Sequence, residues 1–379
     1  MPEKPDSGPL YIGLMSGTSM DGIDAALISF ADHECDVLMT AMSPYPEELR
    51  SELVTASRQP ETCTVDKIGQ LDRWVAECFA NAALQLIEKS NLSENSIVAI
   101  GSHGQTLRHQ PRVARPFTLQ IGDPNIIAYR TGLTTVADFR RRDLAAGGEG
   151  APLAPAFHHW LFSDDVRNRC VLNIGGIANV TMLLTDRDAT LGFDTGPGNF
   201  LMDNWIRRHR DKPFDENGAW AGSGSIHAPL LAIMLDDPYF ELPPPKSTGF
   251  EYFNNGWIHS KIASLGDQQV CSIDVQTTLA ELTAKTIATS VLSHARDIDD
   301  VLVCGGGAHN SYLMSRLRSY LSGVAVTTTD EHGLHPDWVE AAAFAWLAKR
   351  RLTNDPSSLP EVTGASSGQV LGAVYSGGS

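Results

Sequence analysis

The stretch YIGLMSGTSMDGIDAALISF, Tyr11 to Phe30, sets small and hydroxyl-bearing residues between two apolar runs and ends them on two spaced aspartates. Glycine at a tight strand-to-strand turn lets backbone N–H groups approach a phosphate closely, and Thr18 and Ser19 add hydroxyl donors. Asp21 and Asp24 beside such an anion need a counter-charge, which Mg²⁺ held by one or two carboxylates and phosphate oxygens supplies. The other reading is a polar hairpin tip whose aspartates accept backbone hydrogen bonds.

A second carboxylate stands out. Asp194 in GFDTGPGN sits where an apolar strand gives way to a glycine-rich turn, a position that fixes it at the rim of a sheet. Such a group can take a proton from an attacking oxygen, and general-base catalysis contributes roughly 10²- to 10⁴-fold in rate. An Asx-turn capping the next helix is the structural alternative. His103 and Gln105 in GSHGQT follow another apolar strand ahead of a turn and are candidate substrate contacts. His158 and His159 are adjacent, point apart on any regular element and make a poor metal pair. Beyond Mg²⁺, no metal site is indicated.

Other chemistries lack their motifs. GK occurs nowhere, so the GxxxxGK[ST] phosphate loop is absent. The triple glycine Gly305, Gly306, Gly307 lacks the GxGxxG spacing.

The elements that must position these residues follow from periodicity. Tyr11 to Phe30 reads as strand, turn and strand, with alternation through Ile23, Ala25 and Leu27. Ile68 to Lys89 repeats apolar residues at helical spacing. SIVAIG is a short strand ending at the Ser102–Thr106 turn. CVLNIGGIANVTMLL, from Cys170, opens the second half as YIGLMSG opens the first, which suggests duplicated halves. DDVLVCGGGAHN reads as a buried strand with Gly305 to Gly307 at a helix N-terminus, and HPDWVEAAAFAWLAKRRL as a helix started by Pro336 and Asp337. Pro/Gly-rich breaks at 142–155 and 241–249 read as loops or hinges.

A chain of 379 residues fits two domains with a cleft between them. With 42% apolar and 20% charged residues it has the profile of a soluble globular enzyme. A net charge of -16 argues against nucleic acid and anionic membranes as partners. A small anionic ligand still fits a local basic run such as FRRRD, Phe139 to Asp143; a solvated loop is the alternative. The six cysteines form no CxxC pair and read as buried, reduced thiols. MPEKPDSGPL has no apolar leader core and no stretch is long and apolar enough to span a bilayer, so the expected location is the cytoplasm.

In combination, GLMSGTSMDGID, IGSHGQT, ADFRRRD, GAPLAPAFHH, LNIGGIAN, FDTGPGN, PKSTG, VCGGGAHN and VEAAAFAWLA resemble the anhydro-N-acetylmuramic acid kinases. These belong to the actin, hexokinase and heat-shock-chaperone superfamily. The resemblance runs from Gly13 to Ser366. It implies two similar actin-like (ribonuclease H-like) α/β domains flanking an ATP and substrate cleft, with expected bounds of 1–135, with or without 356–379, and 136–355. The implied reaction takes 1,6-anhydro-N-acetylmuramic acid, ATP and water to N-acetylmuramic acid 6-phosphate and ADP in peptidoglycan recycling. A simple sugar kinase of the same superfamily and a non-catalytic ATP-gated binding protein are the alternatives.

By the same resemblance, Asp194 is the base that activates water. ATP phosphates lie at Gly17, Thr18, Ser19, Met20, Asp21, Gly22, Ile23 and Asp24, and the adenosine side lies near Gly305 to Gly307. Arg142 matches the sugar-binding arginine and Glu340 its acidic partner; a guanidinium suits the anionic lactyl carboxylate. Ser16, beside the phosphate turn, is a further candidate substrate contact. A homodimer is the family expectation. Two positions depart from the pattern: Glu149 stands where glutamine is usual and Phe250 where arginine is usual, which alters the charge expected around the sugar site.

Overall fold

The computed structural model describes residues 8–31, 33–92, 96–185, 190–295 and 297–378. Most of the N-terminal stretch read for a leader lies outside the described residues. The chain divides into two compact units, Met1–Leu161 with Trp338–Ser379, and Phe162–Asp337.

The first unit is built on β1 (Leu10–Ser16), β2 (Gly22–Ala31), β3 (Glu34–Pro44), β4 (Ile97–Gln110), β5 (Phe117–Ile121), β6 (Thr135–Ala137) and the late strand β12 (Ala373–Tyr375). The sheet order is β12-β6-β4-β1-β2-β3, and β5 pairs with β4. β1, β2 and β3 form an antiparallel meander, whereas β4 runs parallel to β1 and β6 parallel to β4. The second unit holds β7 (Arg169–Ile174), β8 (Ile177–Leu183), β9 (Leu191–Pro197), β10 (Asp300–Cys304) and β11 (Ala325–Thr328) in the order β11-β10-β7-β8-β9. It repeats the same plan: an antiparallel meander, then β10 parallel to β7 and β11 parallel to β10. The duplication suggested by the two glycine-centred openings is therefore a duplication of topology.

Every residue of β1 is buried, because helices cover both faces of the sheet. On one face lies the Val65–Ser90 helix, capped by Thr64 Oγ accepting from Lys67 N–H and presenting Leu71, Val75, Phe79 and Leu86 to the core. On the other lies the Val339–Leu352 helix, whose alanine-rich face meets bare backbone. A Cβ on Gly13 would fall 1.7 Å from Ala341 O, and one on Gly101 2.0 Å from Phe344 O. This packing draws the division of the chain away from the expected bounds. Thr135 lies inside the first unit's sheet, and the chain rejoins that unit at Trp338 rather than near 356.

Three local expectations change. β4 does not stop at SHGQT but runs on to Gln110, because β5 supplies an antiparallel partner; His103 and Gln105 are strand residues. Gly306–His309 form a single 3₁₀ turn, and the helix proper, Ser311–Tyr320, begins after Asn310, whose Oδ1 caps Leu313 N–H. Pro336–Trp338 likewise make a 3₁₀ turn ahead of the 339–352 helix. All six cysteines are free, but Cys271 is exposed, against expectation, with Sγ 3.0 Å from Asp274 Oδ2. No helix among the described residues is long and apolar enough to cross a membrane.

Candidate active site

The β1–β2 tip is a turn closed by Met20 N–H donating to Gly17 O at 3.3 Å. Met20 takes a left-handed φ of 52° and drops its side chain into the core, which leaves Thr18, Ser19 and Asp21 at the surface. Ser19 Oγ donates to Asp21 Oδ1 at 2.7 Å, and Asp21 O accepts from Tyr45 N–H at 3.1 Å. Beneath the tip, Ser16 and Gln105 are 1% and 0% exposed. Ser16 Oγ lies 2.7 Å from both Gly22 O and Gln105 Oε1, and Gln105 Nε2 donates to Gly17 O at 3.2 Å. In this structure the two residues brace the tip rather than face solvent. Asp24 is half-buried, third along β2 and opposite Met15. The exposed Asp21 and half-buried Asp24 suit a cation that keeps most of its contacts to phosphate and water. The described residues contain no cluster of three or more acidic, histidine or cysteine ligands that would form an all-protein cage.

His103 is buried against Phe344, ring centroids 4.7 Å apart. Its Nδ1 lies 2.9 Å from Gly104 O and carries the proton, while Nε2 accepts from Arg140 Nε and Nη2 at 3.1 and 2.9 Å. Burial, then the Arg140 charge, holds this imidazole neutral, well below its ordinary pKa. Burial also lowers the Arg140 guanidinium to about 10 against the pull of Glu340, and raises the Glu340 carboxyl against the pull of Arg140. Arg140 further donates Nη1 to Gly150 O at 3.0 Å. Within FRRRD, therefore, Arg140 turns inward toward His103 and Glu340. Arg142, the expected sugar ligand, is exposed, with Nε 3.4 Å from Gln369 Oε1. A pocket of about 240 Å³ opens beside these groups, lined by Ser102, His103, Gln120, Asp138 and Arg141. Glu149 does not stand as a lone charge: Arg112 grips its carboxylate in a fork, at 2.7 and 3.2 Å.

In the second unit Asp194 lies midway along β9, the edge strand, not at its end as its sequence suggests. Across the sheet it faces Asn179, next to a bulge. On the outer edge the segment 246–248 lies alongside it. Asp194 N–H donates to Lys246 O at 3.1 Å, Thr248 N–H donates to Asp194 Oδ2 at 3.0 Å, and Tyr239 Oη donates to Asp194 O at 2.8 Å. The helix that follows, Phe200–Arg210, has Asn199 at its N-cap and no side-chain cap bond, so Asp194 is not its cap. Sequence reasoning missed Tyr239, Lys246 and Thr248; the signal was a lysine in a proline-rich break.

The triple glycine divides by role. A Cβ on Gly305 would lie 2.3 Å from Asn173 Oδ1, and one on Gly307 2.3 Å from Ile174 Cγ2, so both are required by packing. Gly306 faces open space but for Asn199 Nδ2 at 3.8 Å. Asn199 Nδ2 also donates to Ile174 O, and Asn199 N–H to Gly175 O, tying this turn to the β7–β8 hairpin. Phe250 packs near Phe200, centroids 6.3 Å apart and planes tilted by 45°, where an aromatic ring replaces the expected arginine.

Two copies of one α/β topology, each opening on an antiparallel hairpin with a glycine-bearing turn, define a protein of two actin-like (ribonuclease H-like) domains. The anhydro-N-acetylmuramic acid kinase family model matches residues 9–377. An anhydro-N-acetylmuramic acid kinase of Coxiella burnetii (strain Dugway 5J108-111) is 50% identical over 368 residues, covering 97% of each chain. One of Xanthomonas campestris pv. campestris (strain 8004) is 50% identical over 370 residues, again 97% of each. One of Xylella fastidiosa (strain Temecula1 / ATCC 700964) is 49% identical over 374 residues, 98% of this chain and 97% of the other. The chain belongs to the anhydro-N-acetylmuramic acid kinase family, and it is a kinase.

Proposed function

We propose that this kinase opens 1,6-anhydro-N-acetylmuramic acid with water and transfers the γ-phosphoryl group of ATP to O6, giving N-acetylmuramic acid 6-phosphate and ADP in peptidoglycan recycling. Asp194 accepts a proton from water as the water oxygen bonds to the anomeric carbon. The C1–O6 bond of the bridge breaks, its electron pair stays on O6, and O6 takes the phosphoryl group while ADP leaves. Phosphoryl transfer depends on positioning and charge stabilisation, so no protein nucleophile is needed. The Gly17–Asp24 tip, braced from below by Ser16 and Gln105, binds the phosphates, and Gly306 is the open approach for the adenosine side. Mg²⁺ held through Asp21 and Asp24 would neutralise phosphate charge there. Arg140, His103 and Glu340 form the sugar side, with Arg142 at its exposed margin. The protein works as a cytoplasmic homodimer.

The observation that carries this reading is Asp194, a half-exposed carboxylate whose backbone is fixed on both sides and whose Oδ2 is held by a backbone N–H. The test is mass spectrometry of the product formed in ¹⁸O-water, with unlabelled product incubated alongside to correct for anomeric exchange. One ¹⁸O at C1 of the 6-phosphate, above that control, is expected. A phosphorylated sugar without label would mean simple transfer to an existing hydroxyl and overturn the hydrolytic step.

A further inference from the structure

Lys246 follows the Pro238–Glu241 helix in the segment that returns along the outer edge of β9. Its residue is only 6% exposed. The ammonium donates to Tyr239 O and Phe240 O at the long distances of 3.4 and 3.5 Å, and lies 4.8 and 5.9 Å from the ring centroids of Tyr239 and Phe193. Carbonyl dipoles and ring faces solvate a cation but do not neutralise it, and a buried charge needs a partner of opposite sign. Other charges nearby are committed or exposed. Asp237 holds Lys261 at 3.0 Å and also accepts from Tyr252 Oη and Trp257 Nε1. Glu241 and Glu251 are exposed, and His294, on the 272–294 helix, packs against the Phe193 ring. The remaining anion is Asp194, whose N–H donates to the Lys246 carbonyl.

We propose that Lys246 is a positioning residue for the chemical step: a fixed, buried counter-charge that keeps the Asp194 carboxylate ionised and aligned to accept a proton. The proposal rests on the reading of Asp194 as the base. A carboxylate drawn out of water drifts toward its protonated form, and a protonated Asp194 cannot take a proton from water. The ammonium opposes that drift without competing for the proton. On Lys246 itself burial lowers the pKa and the Asp194 charge opposes that lowering.

The experiment is the pH profile of kcat/KM with ATP and the anhydro sugar for wild type, Lys246→Met and Lys246→Arg. In Lys246→Met the acidic limb should move up by about one pH unit or more. On the acidic side of the wild-type limb the rate should fall about tenfold for each unit of that shift, and recover as pH rises above the new limb. Lys246→Arg should keep the limb near the wild-type position. An unmoved limb in Lys246→Met, or a loss of equal size at every pH, overturns the proposal. Should Lys246→Met lack a cooperative unfolding transition, Lys246→Gln takes its place under the same two outcomes, since it retains a donor to the two carbonyls without the charge. Asp194→Asn runs in parallel. Full turnover in that variant removes the base and this proposal together, whereas lost turnover with an unmoved Lys246→Met limb removes this proposal alone.

Discussion

Gln105 shows how a residue that reads as a ligand contact becomes part of the frame. Fully buried, it connects Ser16 on β1 to Gly17 O at the tip, so its amide fixes the backbone that would meet phosphate. Replacing it with leucine leaves the Gly17 carbonyl and the Ser16 hydroxyl without that partner. An unmade buried hydrogen bond costs about 1–3 kcal/mol. The KM for ATP should rise about five- to tenfold, with the KM for the sugar changed less than twofold, as steady-state kinetics would reveal. Equal rises in both would contradict the brace. That Asp194 belongs to a strand was legible, because an apolar run leads into it; its place midway along β9 was not, since the Thr-Gly-Pro that reads as a turn continues the strand. Arg140 was not, because the five-residue Arg141–Ala145 helix is too short to give a phase, and three consecutive arginines look alike until one is seen to meet His103.

Among the elements, the Val339–Leu352 helix depends on absent side chains. Gly13→Ala would press a methyl into Ala341 O, backbone against backbone, and should destabilise the protein by about 2–3 kcal/mol in urea denaturation. Gly69→Ala is the counterpart: that glycine is exposed in the interior of the 65–90 helix with nothing within 4 Å of the added Cβ. It should stabilise by about 0.5–1 kcal/mol. If both substitutions were neutral, helix packing would not be set as described. Periodicity revealed the 65–90 helix to within three residues at its start and one at its end, since its apolar stripe faces a single core. The extension of β4 through SHGQT escaped notice because Gly104, at φ 74°, imitates a turn while β5 supplies the strand pairing from further along the chain. The unit boundary was hidden for a similar reason: the late helix joins the first unit through tertiary packing, such as residues 341 and 344 against Gly13 and Gly101 and Phe344 against His103.

On the scale of the whole molecule, two buried histidines and one partly buried make stability depend on pH. Burial lowers His158 to about 3; burial and then Arg140 lower His109 to about 4 and His103 well below its usual range. Their ordinary value is 6.5, so between each folded value and 6.5 the unfolded chain binds protons that the folded chain refuses. Their contribution is complete above 6.5 and lost as pH falls toward the folded values. The urea midpoint should therefore drop between pH 7 and pH 5.5, and His158→Gln should shrink that drop by about one proton's worth of slope. A midpoint flat over that range would contradict it. The duplicated meander was legible as two glycine-centred openings. It places the Gly17–Asp24 tip in one unit and Asp194 in the other. The most direct test is a single-turnover assay of the anhydro sugar with ATP, comparing wild type with Asp194→Asn, beside the affinity of each for a non-hydrolysable ATP analogue. Product formation should fall about 10²- to 10⁴-fold while analogue affinity stays within twofold; turnover within tenfold of wild type would contradict the role given to Asp194.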